Sequence, residues 1–97
     1  MSELKSLRAK FNFGSLYRFS CDEPKGRVVW SSDGKRKYPT RLLNSSYVIV
    51  LNIEESKTVD RCFRVHLFAG DMVGFVVLKY YEVTTCLEYV ATESAEP

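Results

Sequence analysis

The sequence predicts one small all-β domain. Three observations carry that prediction. Apolar and polar side chains alternate with a two-residue period over residues 47–53 and 61–68, the alternating runs are only strand-length, and clusters of Gly, Pro, Asp and Ser separate them. Little of the chain carries a helical period. At 97 residues there is material for one hydrophobic core but not two. With 45% apolar and 27% charged residues the composition is that of a chain that folds, not of a disordered one.

Taken in order, the elements begin with an N-terminal arm over residues 1–13. Leu4, Leu7 and Phe11 are spaced three and four apart, as on one face of a short amphipathic helix that Ser2 could cap. So few turns need packing to persist, so a frayed arm is the competing reading. A barrel domain is expected over residues 14–90. Residues 16–21, rich in Tyr and Phe, form its first strand and end at the turn cluster 22–26. Residues 27–31 form a second, with Val28 and Trp30 on one face. Ser31-Ser32-Asp33-Gly34 is a hairpin signal, because Asp and Gly tolerate positive φ, and residues 35–38 return until Pro39 ends the strand.

Residues 47–53 read as a central strand, with Tyr47, Ile49, Leu51 and Ile53 on one face and Val48, Val50 and Asn52 on the other. Residues 54–60 read as a polar loop. In residues 61–68, Phe63, Val65 and Leu67 point inward and Arg64 and His66 outward. A tight turn at 69–71 leads to a strand over 72–78, where Gly74 marks a bulge or a close-packing point. Residues 79–82 break the alternation, residues 86–90 form a short last strand, and residues 91–97 are expected to be a disordered acidic tail.

The segments Gly14-Ser15-Leu16-Tyr17-Arg18-Phe19, Tyr47-Val48-Ile49-Val50-Leu51, Phe63 to Phe75 and Leu87-Glu88-Tyr89-Val90 together resemble the small Src-homology-3-like (SH3-like) barrels found in many phage and bacterial proteins. The resemblance spans residues 14–90 in arrangement. It implies a barrel of five to six antiparallel strands, an inserted basic hairpin in the first long loop, and a single 3₁₀ turn at residues 79–82. Such barrels host peptide, RNA, DNA and assembly functions, so the likeness narrows function little.

No apolar run approaches the roughly 20 residues of a membrane-spanning helix, and residues 1–10 lack the apolar stretch of a secretory signal. Cys21, Cys62 and Cys86 are widely spaced, and an odd count leaves a free thiol within a monomer, which points to a reducing compartment and a cytoplasmic protein. No membrane partner is expected.

Catalytic chemistry is not legible. His66 is the single histidine and sits mid-strand, as a solvent-facing or cross-strand-paired residue. The cysteines and His66 lack the paired spacing of a zinc site, the five glycines are dispersed at turns, and Glu54 and Glu55 read as solvated loop charges. The expectation is therefore no enzyme, no metal and no cofactor.

Charge supplies the remaining signal. Residues 1–48 carry ten Lys or Arg against four acids, and residues 49–97 carry four against eight. Lys35, Arg36, Lys37 and Arg41 fall close enough to form one positive patch in any fold, beside Trp30 and Tyr38. The leading expectation is a non-enzymatic protein-interaction module, of the kind a phage encodes to bind and modulate a host protein, with Tyr17, Tyr80 and Tyr81 as contacts. The alternative is a DNA- or RNA-binding barrel using Trp30, Lys35, Arg36, Lys37, Tyr38 and Arg41, where cations neutralise phosphates and aromatics stack on bases. Against it stands Trp30 as a core residue with the cations merely solubilising a turn. A structural subunit of a larger assembly is the third expectation.

Overall fold

The computed structural model describes residues 3–31, 40–70 and 72–90. Along the chain run α1 (Glu3–Lys10), β1 (Leu16–Phe19), β2 (Arg27–Ser31), β3 (Thr40–Leu42), β4 (Ser46–Glu55), β5 (Cys62–Ala69), β6 (Met72–Lys79), α2 (Tyr80–Cys86) and β7 (Leu87–Tyr89). All strand pairings are antiparallel, in the order β3-β2-β6-β5-β4-β1-β7, and the sheet curls into a half-barrel. The chain is thus mostly β with two short helices. The described residues form seven strands where five or six were expected, and among them no ladder joins β3 to β7. Both edge strands are only three residues long, and brevity is one way a sheet blunts its edges.

The centre of the sheet is the β4–β5–β6 meander. On its inner face Val50 lies opposite Leu67, Ile53 opposite Val65, Val65 opposite Val76 and Phe63 opposite Leu78. All of these are buried, and burial of each such side chain stabilises by about 1.5–3 kcal/mol. Phe63, Val65 and Leu67 therefore point inward as their alternation requires.

The expected faces of β4 need correction. Between Val50 and Asn52 the register against β5 shifts by one residue, leaving Leu51 as the extra residue of a β-bulge. Before the bulge Val48 and Val50 are buried and Ile49 is not. After it Ile53 is buried, and Asn52 and Glu54 lie opposite His66 and Arg64 on the other face. Tyr47, Ile49, Leu51 and Ile53 thus do not share one face. An unbroken strand would have turned the Glu54 carboxylate into the core opposite Phe63, at a desolvation cost that the slip avoids. Strand β4 also continues through Glu55, so Glu54 and Glu55 are strand residues and not loop charges.

In β2 the inward residue is Val29, while Trp30 is 48% exposed, so Trp30 is not a core residue. Gly74 explains how β2 docks on β6: a Cβ there would lie 2.6 Å from the Trp30 carbonyl oxygen and 2.7 Å from Val29 Cγ1. It is a close-packing point, with unbroken β5–β6 register across it. Gly26, at φ +76°, plays the same part beside β3, where a Cβ would collide with the Leu42 carbonyl. The expected return strand over residues 35–38 and its end at Pro39 lie outside the described residues. The strand that pairs with β2 here is Thr40–Leu42, with Arg27 opposite Leu42.

Two helices complete the core. Leu7 of α1 is fully buried and Leu4 packs against the same cluster, so residues 3–10 of the N-terminal arm are helical and pack on the core. Eight residues are too few for a stable isolated helix, so this packing holds it. The segment expected to hold a single 3₁₀ turn is instead a seven-residue α-helix. Glu82 accepts a hydrogen bond from the Lys79 backbone N–H at its start (2.9 Å), and Val83 and Cys86, three apart, bury one face. Glu82 also forms an ion pair with Arg27, tying α2 to β2. Burial is the largest single influence on Arg27 and works against its charge, but Glu82, Cys21 and Glu23 together outweigh it and raise the guanidinium's pKa.

Gly74→Ala forces a methyl group against the backbone of Trp30. The expected loss is about 1–3 kcal/mol, read as a lower urea midpoint with an unchanged denaturant slope.

Candidate interaction surface

Strand pairing dictates what lies on the outer face of the sheet. One row runs Trp30, Phe75, His66 and Asn52 across β2, β6, β5 and β4. A second runs Val77, Arg64 and Glu54, and a third runs Val73, Phe68, Ile49 and Leu16 from β6 to β1. The third row is wholly apolar. Leu16, Phe68 and the bulged Leu51 are 36%, 38% and 40% exposed, and together with Trp30 they make this face unusually apolar for a solvent-facing sheet.

The polar side chains on this face are mostly engaged with one another. The Arg64 guanidinium carbon lies 4.7 Å from the Phe75 ring centroid, a cation–π contact, and the His66 ring lies 5.6 Å from the same ring. Glu54 accepts a 2.7 Å hydrogen bond from His66 Nε2. That bond, more than any other influence, holds the Glu54 carboxyl below its usual range. At the β1–β7 side, Arg18 lies 3.5 Å from Glu88 and donates to the Ser45 hydroxyl. Among the described residues the buried Arg64 Nε has no hydrogen-bond partner.

The residues singled out from sequence fall in several places. Trp30 lies on the outer face, and with Arg41, Val28 and Val77 it lines a shallow cavity of about 250 Å³. Arg41 is exposed on β3 and donates to the Lys25 carbonyl at 3.2 Å. Lys35, Arg36, Lys37 and Tyr38 lie outside the described residues. Tyr17 is buried, its hydroxyl accepting the Asn12 backbone N–H at 2.9 Å, so little of its ring reaches the surface, and that part walls a cavity shared with Phe11 and Tyr89. Tyr80 is half-buried against α1, where it shares a hydrogen bond with Ser6 that lowers its pKa. Tyr81 is well exposed.

Sequence reasoning missed Phe75, Phe68, Ile49 and Leu16 as one surface. Its signal was present: Arg64 and His66 read as outward, and the tight turn after β5 sets Val73, Phe75 and Val77 on that same side.

The described residues hold no group of three His, Cys, Asp or Glu side chains able to bind a metal. Cys62 and Cys86 are buried free thiols, and burial raises the pKa of Cys86. No described helix is long and apolar enough to cross a membrane. No protein-family model matches the chain, and neither does any curated protein or solved structure.

The Glu54 carboxyl is more acidic folded than unfolded. Its contribution is therefore complete above the ordinary value of 4.5 and is lost as pH falls through the lowered folded value. Because the side chain is partly exposed, the effect stays below about 1 kcal/mol. Urea midpoints taken across that window should fall further for the native chain than for Glu54→Gln.

Proposed function

We propose that this chain is a non-enzymatic protein-interaction module whose contact surface is the outer face of the sheet. The observation that carries the reading is the apolar row Val73, Phe68, Ile49 and Leu16, flanked by Trp30 and Phe75, on the side of the sheet away from the core. A contiguous apolar face of this kind is costly in water and is commonly covered by a partner. The pairing of Arg18 with Glu88 and of His66 with Glu54 leaves little unbalanced charge on it, which suits a protein surface better than a phosphate backbone. The likeness to SH3-like barrels is supported by the succession of the β4–β5–β6 meander, a short helical element and a small last strand returning to β1.

A second reading, nucleic-acid binding, is favoured by a different observation. Trp30 and Arg41 share one shallow cavity, and they flank the segment that contributes Lys35, Arg36 and Lys37. Arg64 stacked on Phe75 extends an aromatic platform beside Trp30, and such platforms bind single strands by stacking.

Leu16→Lys with Phe68→Lys places two charges on the apolar row at partly exposed positions, so the fold should tolerate them. The native chain is expected to retain a specific protein in affinity capture after nuclease treatment, and the double variant to lose it. Equal capture by both would discard the protein reading. Binding to a fluorescent single-stranded oligonucleotide tests the other. There, Trp30→Ala should weaken affinity by about 1–3 kcal/mol, and replacing Lys35, Arg36 and Lys37 by Ala should flatten the salt dependence.

A further inference from the structure

A separate surface lies at the β7 edge, on the inner side of the sheet. Among the described residues β7 has one neighbour, β1. Two hydrogen bonds, from Ser20 N–H to the Cys86 carbonyl (2.8 Å) and from Val90 N–H to the Leu16 carbonyl (3.0 Å), fix the phase of that ladder. With Arg18 opposite Glu88, residues 86, 88 and 90 turn their backbone polar groups toward β1. Leu87 and Tyr89 therefore turn theirs away from it. Leu87 is the C-cap of α2, so Tyr89 is the position whose N–H and C=O both face the open edge beyond the helix.

Beside this edge opens a cavity of about 360 Å³, walled by Phe11, Tyr17, Leu87 and Tyr89 and reached by Lys10 and Thr84. Its aromatic wall is preformed. The Phe11 and Tyr17 ring centroids are 5.0 Å apart, those of Tyr17 and Tyr89 are 5.5 Å apart, and the Tyr17 hydroxyl is held by the Asn12 backbone. Tyr17 and Tyr89 are directly opposite in the ladder, so the cavity lies on the flank that receives every second side chain of a strand added to β7.

We propose that this edge binds an extended peptide segment of another protein, which adds a strand to β7, inserts one large apolar side chain into the cavity and sets an acidic residue near Lys10. Edge backbone groups recognise an extended chain, a cavity on alternate positions selects a side chain, and the Lys10 ammonium supplies the charge preference. The site is independent of the outer face, so variants that charge the apolar row leave it intact.

The test uses the isotope-labelled full chain and two blocked heptapeptides, Thr-Asp-Thr-Phe-Thr-Val-Thr, in which Asp and Phe share one face of the strand, and the same peptide with Ala in place of Phe. Amide shifts are expected at residues 86–90 and 10–12, with the Phe peptide bound at least about tenfold more tightly. Thr84→Trp, which fills the cavity, should abolish that preference. Tyr89→Pro, which removes the outward N–H, should bind more weakly than Tyr89→Val, which removes only the ring. The proposal is overturned if residues 86–90 do not shift at about 1 mM peptide, or if the two peptides bind equally. It is also overturned if sedimentation of the chain alone reveals a dimer that Tyr89→Pro abolishes and the peptides cannot displace, since the occupant is then a second copy.

Discussion

The one-residue slip at Leu51 is the constraint on which the rest of the sheet depends. Residues 46–55 form a ten-residue strand, and without the slip its two halves would send opposite kinds of side chain to the core. Val48 and Val50 would lie inside together with Asn52 and Glu54, and Ile53 would lie in water. The bulge exchanges one ladder position for a consistent interior. A bulge also strengthens local twist, which is the deformation a curled sheet needs at its centre.

Around that strand the fold is closed by close approaches more than by bulk. Gly74 lets β2 lie against β6 so that Val29 fills the inner face, and Gly26 lets the start of β2 pass under β3. The Arg27–Glu82 ion pair then couples β2 to α2, whose Val83 and Cys86 cap the core together with Leu7 of α1. Each contact joins segments distant in the chain, so none is visible as a local sequence motif.

The two interaction surfaces are consequences of the same arrangement. The bulge moves Asn52 and Glu54 outward, where Glu54 meets His66, and that pairing leaves Phe75, Phe68, Ile49 and Leu16 as the apolar part of the outer face. The inner face is filled at its centre. It opens at the β7 edge, where Phe11, Tyr17, Leu87 and Tyr89 wall a cavity, and again beside β3, where Val29, Leu42 and Met72 line another.

The sequence by itself determined the β class, the positions of most strands, and the inward set Phe63, Val65 and Leu67, because side-chain alternation is a local property and the hairpin after β5 has a short, recognisable turn. It also marked Gly74 as a bulge or a close-packing point, and the approach of the Trp30 backbone shows it to be the second. Only the tertiary structure decided that Ile49 and Ile53 face opposite ways, since a bulge is defined by the partner strand and leaves no mark in a two-residue rhythm. The same holds for Tyr17, whose ring packs against Phe11 and Tyr89, and for residues 80–86, whose helix buries Val83 and Cys86 and meets Arg27 through Glu82 across 55 residues of chain. Alternation says which side chains share a side. Which side meets water is set by what packs against it.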